Sequence, residues 1–360
     1  MKPLGVALIG AGSIARSAHL PAITRLPEHL RLKIIMDANP EVAQRVGGAF
    51  EVPFTTRLDE ALDTADVEAV IVTTPESWHR EAVEAAAERG LHILCEKPMA
   101  STLEDADAMI ETARSHGVRL MIGHSRRFTG RYLVLKDAVL RGEVGEVIAI
   151  RENERRSRPR NPGEGTYWSS SHWTGDPLHS VGAILTNGIH EVDLFNWFFA
   201  DEPVSVYAEH RVTREGGRVP DFISFTVRYQ GGGIGSSEVN NALPPGYPGF
   251  HAFELFGTTG MLSARDSEMR MVELFGPDGA MRDPWAYEHL LHVEEAYVRE
   301  HRAFAESVRE GKPLPVTPEE ARLALAVALA ADRSARSGQP EPVVPGPQTP
   351  ESRPEGGGRP

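Results

Sequence analysis

The stretch LGVALIGAGSIA, residues 4–15, decides the fold of the first part of this chain. Its first seven residues are almost wholly apolar, which predicts a buried strand, and a helix-like stretch follows at 13–25. Gly10, Gly12 and Ala15 fit the pattern G-x-G-x-x-A. The first glycine of this pattern makes a tight turn, the second lets the backbone approach a pyrophosphate, and the small third residue lets helix and strand pack closely. The stretch therefore predicts a dinucleotide-binding turn.

A carboxylate follows at the end of the second predicted strand. Asp37 lies 22 residues after Ala15, near the spacing at which an acidic residue binds the adenosine ribose. Because a carboxylate here repels a 2′-phosphate, we expect NAD as the cofactor and consider NADP less suitable. The alternative is a glycine-rich turn without a cofactor, which the complete strand–turn–helix context disfavours. The residues predicted to bind the cofactor in this part of the chain are Gly10, Gly12, Ser13, Ile14 and Asp37.

Strand-like and helix-like segments alternate along the first part of the chain. This rhythm predicts a parallel sheet covered on both faces, so we expect a Rossmann dinucleotide-binding domain over residues 1–123. Several strand-like runs then follow one another without helices between them, which predicts an antiparallel sheet in an α+β domain over 124–337. Closing helices are predicted at about 286–310 and 318–335. Residues 338–360 are rich in glycine and proline and are predicted to form a disordered tail.

The composition excludes several classes of partner. The chain has 360 residues, a formal net charge of −13 and a pI of about 5.6, the opposite of the basic surface that nucleic-acid binding requires. Cys95 is the single cysteine, so an intramolecular disulfide is impossible and a reducing compartment fits. No apolar run approaches the roughly 18 residues of a membrane helix, and MKPLGVALIG at the start lacks a signal-peptide cleavage site. We therefore expect a cytoplasmic protein with no nucleic-acid and no membrane partner.

A charged pair follows the fifth predicted strand, in the stretch LCEKPMA at 94–100. Ligands of an open α/β sheet bind beyond the carboxyl ends of its strands, so Lys97 is predicted to lie beside the nicotinamide. Pro98 restricts Lys97 to extended conformations and thereby directs its side chain. A lysine next to a cationic ring is expected to have a lowered pKa and to exchange protons with a substrate hydroxyl. The alternative, that Glu96 and Lys97 are surface charges, is left open by the spacing alone.

Six motifs in a fixed order give the chain a wider resemblance. They are GAGSIA (10–15), TTPESWH (73–79), LCEKPMA (94–100), GHSRRF (123–128), WTGDP (173–177) and GAILTNGIHEVDLFNWF (182–198). Together they resemble the Gfo/Idh/MocA family of NAD(P)-dependent oxidoreductases over about residues 4–337. The resemblance implies that the second domain has an open antiparallel sheet whose exposed face usually forms an oligomer interface. We therefore expect a homodimer or a homotetramer.

The resemblance also implies roles for single residues. Lys97 would contact the reacting substrate hydroxyl, often with a cis bond to the following proline, and His190 would be the general acid/base. A histidine suits this role because it exchanges protons near neutral pH. Residues implied to contact the cofactor in the later motifs are Thr74, Pro75, His79, Glu96 and Lys97. Residues implied to contact the substrate are Lys97, Arg127, Trp173, Thr186, Asn187 and His190.

One position departs from the family pattern. Many sugar and inositol dehydrogenases of the family carry an aspartate four residues before the histidine, whereas this chain has Thr186, with Asn187 beside it. Either side chain can bind a sugar hydroxyl, but neither supplies a negative charge. Asp193, three residues after His190 on a predicted helix, is the alternative group to orient the imidazole, unless its role is structural.

These observations predict an NAD-dependent dehydrogenase that transfers hydride between nicotinamide and a secondary hydroxyl or carbonyl of a sugar, inositol or related polyol. Two alternatives stay open: a redox-neutral glycoside hydrolase of the same family that regenerates bound NAD, and a non-catalytic sensor that binds a dinucleotide. The presence of Lys97 and His190 argues against the sensor. We expect no metal site, because His289, His292 and Glu295 have helical spacing without a fixed metal-binding signature.

Overall fold

The fold was obtained as a computed structural model, in which the chain forms two β-sheets with helices packed on them. The structure describes residues 2–157, 182–244, 249–265, 273–275, 281–282, 296–344 and 346. The predicted fold class, a Rossmann domain followed by a domain with a mainly antiparallel sheet, is confirmed. In this described part of the chain, no helix has the length and apolarity that a membrane span requires.

Six parallel strands form the first sheet. They are β1 (Leu4–Ile9), β2 (Leu30–Met36), β3 (Phe54–Thr55), β4 (Ala69–Val72), β5 (His92–Glu96) and β6 (Leu120–Gly123). Their order is β3-β2-β1-β4-β5-β6, so the direction of the connections reverses between β1 and β4. Every residue of β1, β4 and β6 is buried, as expected for strands covered on both faces. A ligand of such a sheet binds at the carboxyl ends of β1 and β4.

The helices between these strands begin at local signals. A π-helical turn (Ala15–His19) continues into the first helix, and Asn39 caps the second by accepting from the amide of Glu41. Thr102 caps the fifth in the same way by accepting from the amide of Asp105. The helices are α1 (Leu20–Thr24), α2 (Pro40–Ala49), α3 (Leu58–Leu62), α4 (His79–Glu88) and α5 (Leu103–Ser115).

The second sheet is mixed and contains nine described strands. They are β7 (Val147–Ser157), β8 (Pro203–Arg211), β9 (Phe222–Tyr229), β10 (Ile234–Leu243), β11 (Phe250–Gly257), β12 (Met261–Arg265), β13 (Glu273–Phe275), β14 (Met281–Arg282) and β15 (Glu341–Pro342). Their order is β14-β13-β12-β11-β7-β10-β9-β8-β15, and the pairing of β7 with β10 is parallel while the other described pairings are antiparallel. Burial alternates along β9, which leaves one face of the sheet exposed.

Four further helices join the two sheets. They are α6 (Gly130–Leu140), α7 (Ile189–Phe199), α8 (Ala296–Glu310) and α9 (Pro318–Ser337), and a second π-helical turn (Ile184–Gly188) leads into α7. Helix α9 packs against β8 and α7 on one side and against α5 and β6 on the other. Helix α8 packs against α1. The carboxyl edge of the parallel sheet is thereby brought next to the start of α7.

The predicted boundaries need one correction. Gly338 ends α9 in the left-handed region with φ of +67°, and β15 then pairs with β8. The Nη1 of Arg322 also donates to the carbonyl oxygen of Val344 at 3.1 Å. The prediction of disorder is therefore wrong for residues 338–344, because their backbone is hydrogen-bonded to the domain. Residues 345 and 347–360 lie outside the described residues, and the predicted boundary after residue 123 stays a prediction.

Candidate active site

The turn after β1 has the shape that a dinucleotide requires. Gly10 has φ of +90°, and a Cβ there would lie 3.0 Å from the backbone of Thr73 and Thr74. A Cβ at Gly12 would meet no described atom within 4 Å, which leaves this side of the turn open to a phosphate. The Oγ1 of Thr74 is buried without a hydrogen-bond partner among the described residues. These features fit a dinucleotide, whose oxygens can supply the missing partners.

Asp37, directly after β2, contacts the same turn. Its Oδ2 accepts from the amide of Ala11 at 2.8 Å, and its Oδ1 accepts from the amide of Asn39 at 2.9 Å. These bonds hold the carboxylate beside the glycines, and each oxygen keeps a lone pair for a ribose hydroxyl. Ser13 and Ile14 lie in the first turn of the following helix, and Pro75 directly precedes a 3₁₀ turn after β4. Direct contact of these residues with the cofactor stays a prediction.

His79, at the start of α4, joins two turns of the cofactor site. Its Nε2 lies 2.9 Å from the carbonyl oxygen of Thr74, and its Nδ1 lies 3.1 Å from that of Pro98 and 3.2 Å from that of Met99. The ring is buried, and burial lowers the pKa of His79. The predicted direct contact with the cofactor is corrected to an indirect role, because both ring nitrogens already face backbone carbonyls.

Lys97 follows β5 and extends towards the second domain. The peptide bond between Lys97 and Pro98 is cis, and the Lys97 amide donates to Oε2 of Glu96 at 3.0 Å. The Nζ donates to the carbonyl oxygen of Thr186 at 2.9 Å, within the π-helical turn before α7. Burial lowers the pKa of Lys97, although the charge of Glu96 opposes this effect. The ammonium group therefore lies between the Rossmann domain and the start of α7.

His190 lies one helical turn beyond Thr186. Its Nδ1 is buried and has no hydrogen-bond partner within the described ranges. Burial lowers the pKa of His190 well below its ordinary value, and the nearby charge of Lys97 lowers it further. The imidazole is therefore neutral at physiological pH and can accept a proton. The structure thus brings the two predicted catalytic residues together, at a π-helical turn of the kind that is frequent at functional sites.

Thr186 and Asn187 use part of their polar capacity within the protein. The Oγ1 of Thr186 donates to the carbonyl oxygen of Gly182 at 2.9 Å, so the hydroxyl keeps only acceptor capacity for a substrate. The Oδ1 of Asn187 accepts from Nδ2 of Asn241 at 3.3 Å, and its amide NH₂ group remains as a donor. Contact of both residues with substrate stays a prediction. Trp173, the other predicted contact from this region, lies outside the described residues.

The predicted substrate contact of Arg127 is corrected by its surroundings. Its guanidinium is buried and makes a bidentate pair with Asp193, with Nε to Oδ2 at 2.9 Å and Nη2 to Oδ1 at 2.7 Å. Its Nη1 donates to Oε1 of Glu320 at 3.0 Å and to the carbonyl oxygen of Pro315 at 3.2 Å. These bonds join the residues after β6 to α7 and α9, so Arg127 holds the domains together. Asp193 is likewise committed to Arg127 rather than to His190.

Arg126, the neighbouring residue, lies in a group of acidic side chains that we call the acidic cage. Its Nη1 donates to Oε1 of Glu152 at 3.1 Å and to Oε1 of Glu191 at 2.9 Å. Its Nη2 donates to Oε2 of Glu154 at 2.7 Å. Glu152, Glu191 and His251 lie close enough together to hold a metal ion. The guanidinium already lies among them, with Nη1 also 3.5 Å from Nε2 of His251, so we assign the cage to Arg126 rather than to a metal.

Two further titratable groups near Lys97 were not predicted from the sequence. Oε2 of Glu76 is buried without a partner among the residues described, and burial raises the pKa of Glu76 to about 7. His124 is buried, and neither of its ring nitrogens has a hydrogen-bond partner in the described part of the chain. Its ring lies 6.2 Å from that of His190, edge to face. The available signal was their place at the ligand-binding edge of the sheet, with His124 directly after β6 and Glu76 in the turn that follows β4.

The fold and the glycine turn define a class, the dinucleotide-binding oxidoreductases with a Rossmann domain. Residues 4–124 match the family model for the GFO/IDH/MocA oxidoreductase family with an NAD-binding Rossmann fold, and residues 132–263 match the C-terminal domain of the same family. The chain therefore belongs to the GFO/IDH/MocA family, which confirms the resemblance inferred from its motifs. It is an NAD-dependent oxidoreductase, and NAD is its cofactor.

Individual relatives match nearly the whole chain. Inositol 2-dehydrogenase of Rhizobium meliloti (strain 1021) is 28% identical over 330 residues, which cover 91% of this chain and 95% of that protein. The 1,5-anhydro-D-fructose reductase of Ensifer adhaerens is 30% identical over 338 residues, which cover 92% of this chain and 96% of that protein. The crystal structure of the WlbA dehydrogenase from Bordetella pertussis in complex with NADH and UDP-GlcNAcA has a TM-score of 0.81 at 23% identity, covering 95% of this chain and 99% of that one. This structure supports the shared fold.

Proposed function

We propose that the protein transfers hydride between NAD and a secondary hydroxyl or carbonyl carbon of a sugar, inositol or related polyol. The observation that carries this proposal is the meeting of Lys97 and His190 at the carboxyl edge of the parallel sheet. Lys97 is held at the π-helical turn by its bond to the Thr186 carbonyl oxygen at 2.9 Å. His190, one turn later, is a neutral base whose buried Nδ1 has no partner among the described residues.

The two side chains divide the proton chemistry between them. Bound NAD supplies the hydride acceptor in the oxidation direction, and the chain supplies the groups that handle the hydroxyl proton. His190 accepts this proton because burial and the charge of Lys97 keep its imidazole neutral before the reaction. Lys97 donates a hydrogen bond to the same substrate oxygen and stabilises the negative charge that develops there. In the reduction direction, the protonated His190 returns the proton.

The substrate class is supported by the relatives and by the remaining polar groups. The two aligned relatives are named as an inositol dehydrogenase and an anhydrofructose reductase, and both names describe polyhydroxylated rings. Thr186 keeps acceptor capacity and Asn187 keeps its NH₂ group, which together suit neighbouring hydroxyls of such a ring.

A substrate panel tests this function. The purified protein is incubated with NAD, or separately with NADP, and with inositols, aldoses, sugar acids and glycosides, while nicotinamide absorbance and product composition are both followed. Net reduction of NAD by one polyol class supports the proposal. Cleavage of a glycoside without net reduction would contradict the dehydrogenase and identify redox-neutral hydrolysis. Binding of NAD without turnover of any class would favour the sensor instead.

We also propose that the chain assembles as a homodimer or homotetramer in the cytoplasm. The outer face of the second sheet carries Tyr207 and Ile234, which are 43% and 48% exposed, beside the Arg155–Glu238 ion pair. Exposed apolar side chains among paired charges suit a sheet-to-sheet interface. Light scattering should give a mass of two or four chains, and Ile234→Lys should lower it. A monomeric wild-type protein would contradict this assembly.

A further inference from the structure

A buried chain of hydrogen bonds lies behind Lys97, and we call it the buried histidine chain. Oε1 of Glu96 lies 2.9 Å from Nε2 of His19, and Nδ1 of His19 lies 3.2 Å from Nε2 of His301. Nδ1 of His301 lies 2.7 Å from the carbonyl oxygen of Tyr297. Glu96, His19 and His301 are at most 5% exposed. The buried histidine chain joins the end of β5, the π-helical turn after the glycines, and α8.

The positions of the protons follow from the partners at the α8 end. A carbonyl oxygen only accepts hydrogen bonds, so Nδ1 of His301 carries a proton and donates it to Tyr297. Burial lowers the pKa of His301 to about 3, so the ring is neutral and its Nε2 is an acceptor. The bond between His301 and His19 then requires Nδ1 of His19 to be the donor.

Glu96, at the other end of the buried histidine chain, determines where the second proton of His19 lies. Burial raises the pKa of Glu96, whereas the charge of Lys97 and the hydrogen bond from the Lys97 amide lower it and favour the ionised carboxylate independently of His19. An ionised carboxylate only accepts, so Nε2 of His19 must also donate. His19 therefore carries protons on both ring nitrogens, which makes it an imidazolium that is paired with Glu96.

This ion pair lies directly behind the reacting lysine. Oε2 of Glu96, the oxygen not bound to His19, accepts from the backbone amide of Lys97 at 3.0 Å. The orientation of the carboxylate therefore fixes the backbone from which the Lys97 side chain extends. The positive charge of His19 also offsets the negative charge of Glu96, which would otherwise favour the ammonium form of Lys97.

The other groups around this pair contribute little charge. Burial raises the pKa of Glu300, on α8, well above its ordinary value, so this carboxyl group is neutral. Burial likewise raises the pKa of Cys95, next to Glu96, and lowers the pKa of His124, after β6, so both are neutral. Glu76 faces Lys97 from the turn after β4, and its raised pKa of about 7 leaves it only partly ionised near neutral pH. From the second domain, the charges of Arg126 and Arg156 also lower the pKa of Lys97. Behind Lys97, the charge that acts on it is that of Glu96, which is paired with His19.

We propose that His19 is a positioning residue for the reaction, an imidazolium that is held by His301 and that fixes both the orientation and the effective charge of Glu96 behind Lys97. The proposal rests on the proposed function of Lys97. Through His19 and His301, the π-helical turn after the glycines and α8 would then influence the pKa of Lys97 in addition to stabilising the fold. His19 and His301 are buried with their ring nitrogens in hydrogen bonds, so we expect them to act through the pH dependence of the reaction rather than by contact with the substrate.

The protonation of His19 can be measured without turnover. The chain contains 14 histidines, and the signals of His19 in ¹H–¹⁵N spectra of histidine-labelled protein are identified by their loss in His19→Gln. At about pH 7.5, we expect both ring nitrogens of His19 to have imidazolium shifts, while His301 is the neutral tautomer protonated at Nδ1. A neutral His19 would overturn the proposal. This experiment also separates the proposal from the proposed function, whose failure would appear only as absent turnover.

Kinetics test whether the pair acts on Lys97. Glutamine at position 19 can donate one hydrogen bond to Glu96 but has no charge, so the alkaline limb of the pH profile of kcat/KM should move up by about one unit. The affinity for NAD should stay within about twofold. His301→Leu removes the acceptor for His19 and should give the same shift, whereas His301→Asn keeps an acceptor and should restore the wild-type profile. His116→Gln, at an exposed histidine that ends α5, is the matched control. An unchanged profile in folded His19→Gln would overturn the proposal.

Discussion

Two neighbouring residues of α7, His190 and Glu191, belong to two buried clusters. The clusters differ in whether their charged groups are paired with opposite charges. Glu191 lies in the acidic cage, where its Oε1 accepts from Arg126 at 2.9 Å. Arg126 also pairs with Glu152 and Glu154 at 3.1 and 2.7 Å. His190 has a buried Nδ1 without a partner among the described residues, and burial, followed by the charge of Lys97, lowers the pKa of its imidazole. In the cage the cation of Arg126 is held in ion pairs, although Oε2 of Glu152 and Oε2 of Glu191 also lack partners among the described residues, whereas His190 is a neutral imidazole beside a cation.

This difference separates groups that hold the fold from groups that act on a substrate. A paired buried charge adds little net stability, yet removal of one partner is strongly destabilising. We therefore expect substitutions in the acidic cage to change the free energy of unfolding, and substitutions of Lys97 and His190 to change the rate of turnover.

The largest expected effect on stability is in the acidic cage. Arg126→Met leaves the carboxylates of Glu152 and Glu154 buried without their cation, so the free energy of unfolding should fall by about 3–5 kcal/mol. Urea unfolding followed by circular dichroism measures this change. The control is Arg57→Met, which breaks an exposed ion pair with Glu60 and should cost about 1 kcal/mol or less. Equal losses in the two variants would show that the cage does not hold the fold.

Glu76 offers an intermediate case, a buried carboxyl without a partner among the described residues. Its pKa is raised from 4.5 to about 7, so the folded state holds the proton more tightly than the unfolded state does. The stability that Glu76 contributes is therefore complete below about pH 4.5 and is lost as pH rises to about 7, by about 3 kcal/mol. Glu76→Gln should remove this loss and make the protein more stable than wild type at pH 8.

Unfolding by urea at pH 5 and at pH 8 checks this prediction. Glu81→Gln, at an exposed position in the first turn of α4, is the matched control and should leave the pH dependence unchanged. A wild-type pH dependence in Glu76→Gln would show that Glu76 is ionised at little cost in the folded protein.

The smallest expected effect is at Thr186, where the family pattern has an aspartate. Thr186→Asp places a carboxylate beside Lys97 and one turn before His190, and a negative charge favours the protonated imidazole. The acidic limb of the pH profile of kcat/KM should move up by about one unit, because His190 must be neutral to accept a proton. Thr186→Asn keeps the size without the charge and should leave this limb in place. A shift shared by both variants would assign the effect to packing.

The sequence predicts the cofactor turn well because its requirements are local. Gly10 and Gly12 have a fixed spacing after a strand, and the structure gives Gly10 the positive φ that the tight turn needs. Asp37 follows the second strand of the same unit and contacts the turn through Ala11. By contrast, the two-residue edge strand β3 has too little apolar pattern to be recognised before its pairing with β2 is known.

Pairings between distant segments account for the roles that sequence reasoning assigned wrongly or missed. Arg127 was predicted to bind substrate because its motif lies near the site, yet Asp193, 66 residues away, holds its guanidinium. His19 and His301 are separated by 282 residues, and the sequence around each histidine does not predict their contact. Such partners depend on how α7, α8 and α9 pack against the Rossmann domain, which is information that local spacing does not contain.

The most direct test of the account compares turnover with cofactor binding in Lys97→Met and His190→Asn. Both variants should bind NAD with an affinity within about threefold of wild type and unfold at the same urea concentration, while kcat on the polyol identified by the panel falls by roughly 10²–10⁴-fold. Calorimetry and single-turnover absorbance measure the two quantities on the same preparations. Near-wild-type turnover in Lys97→Met, with NAD binding intact, would contradict the assignment of the reaction to this pair.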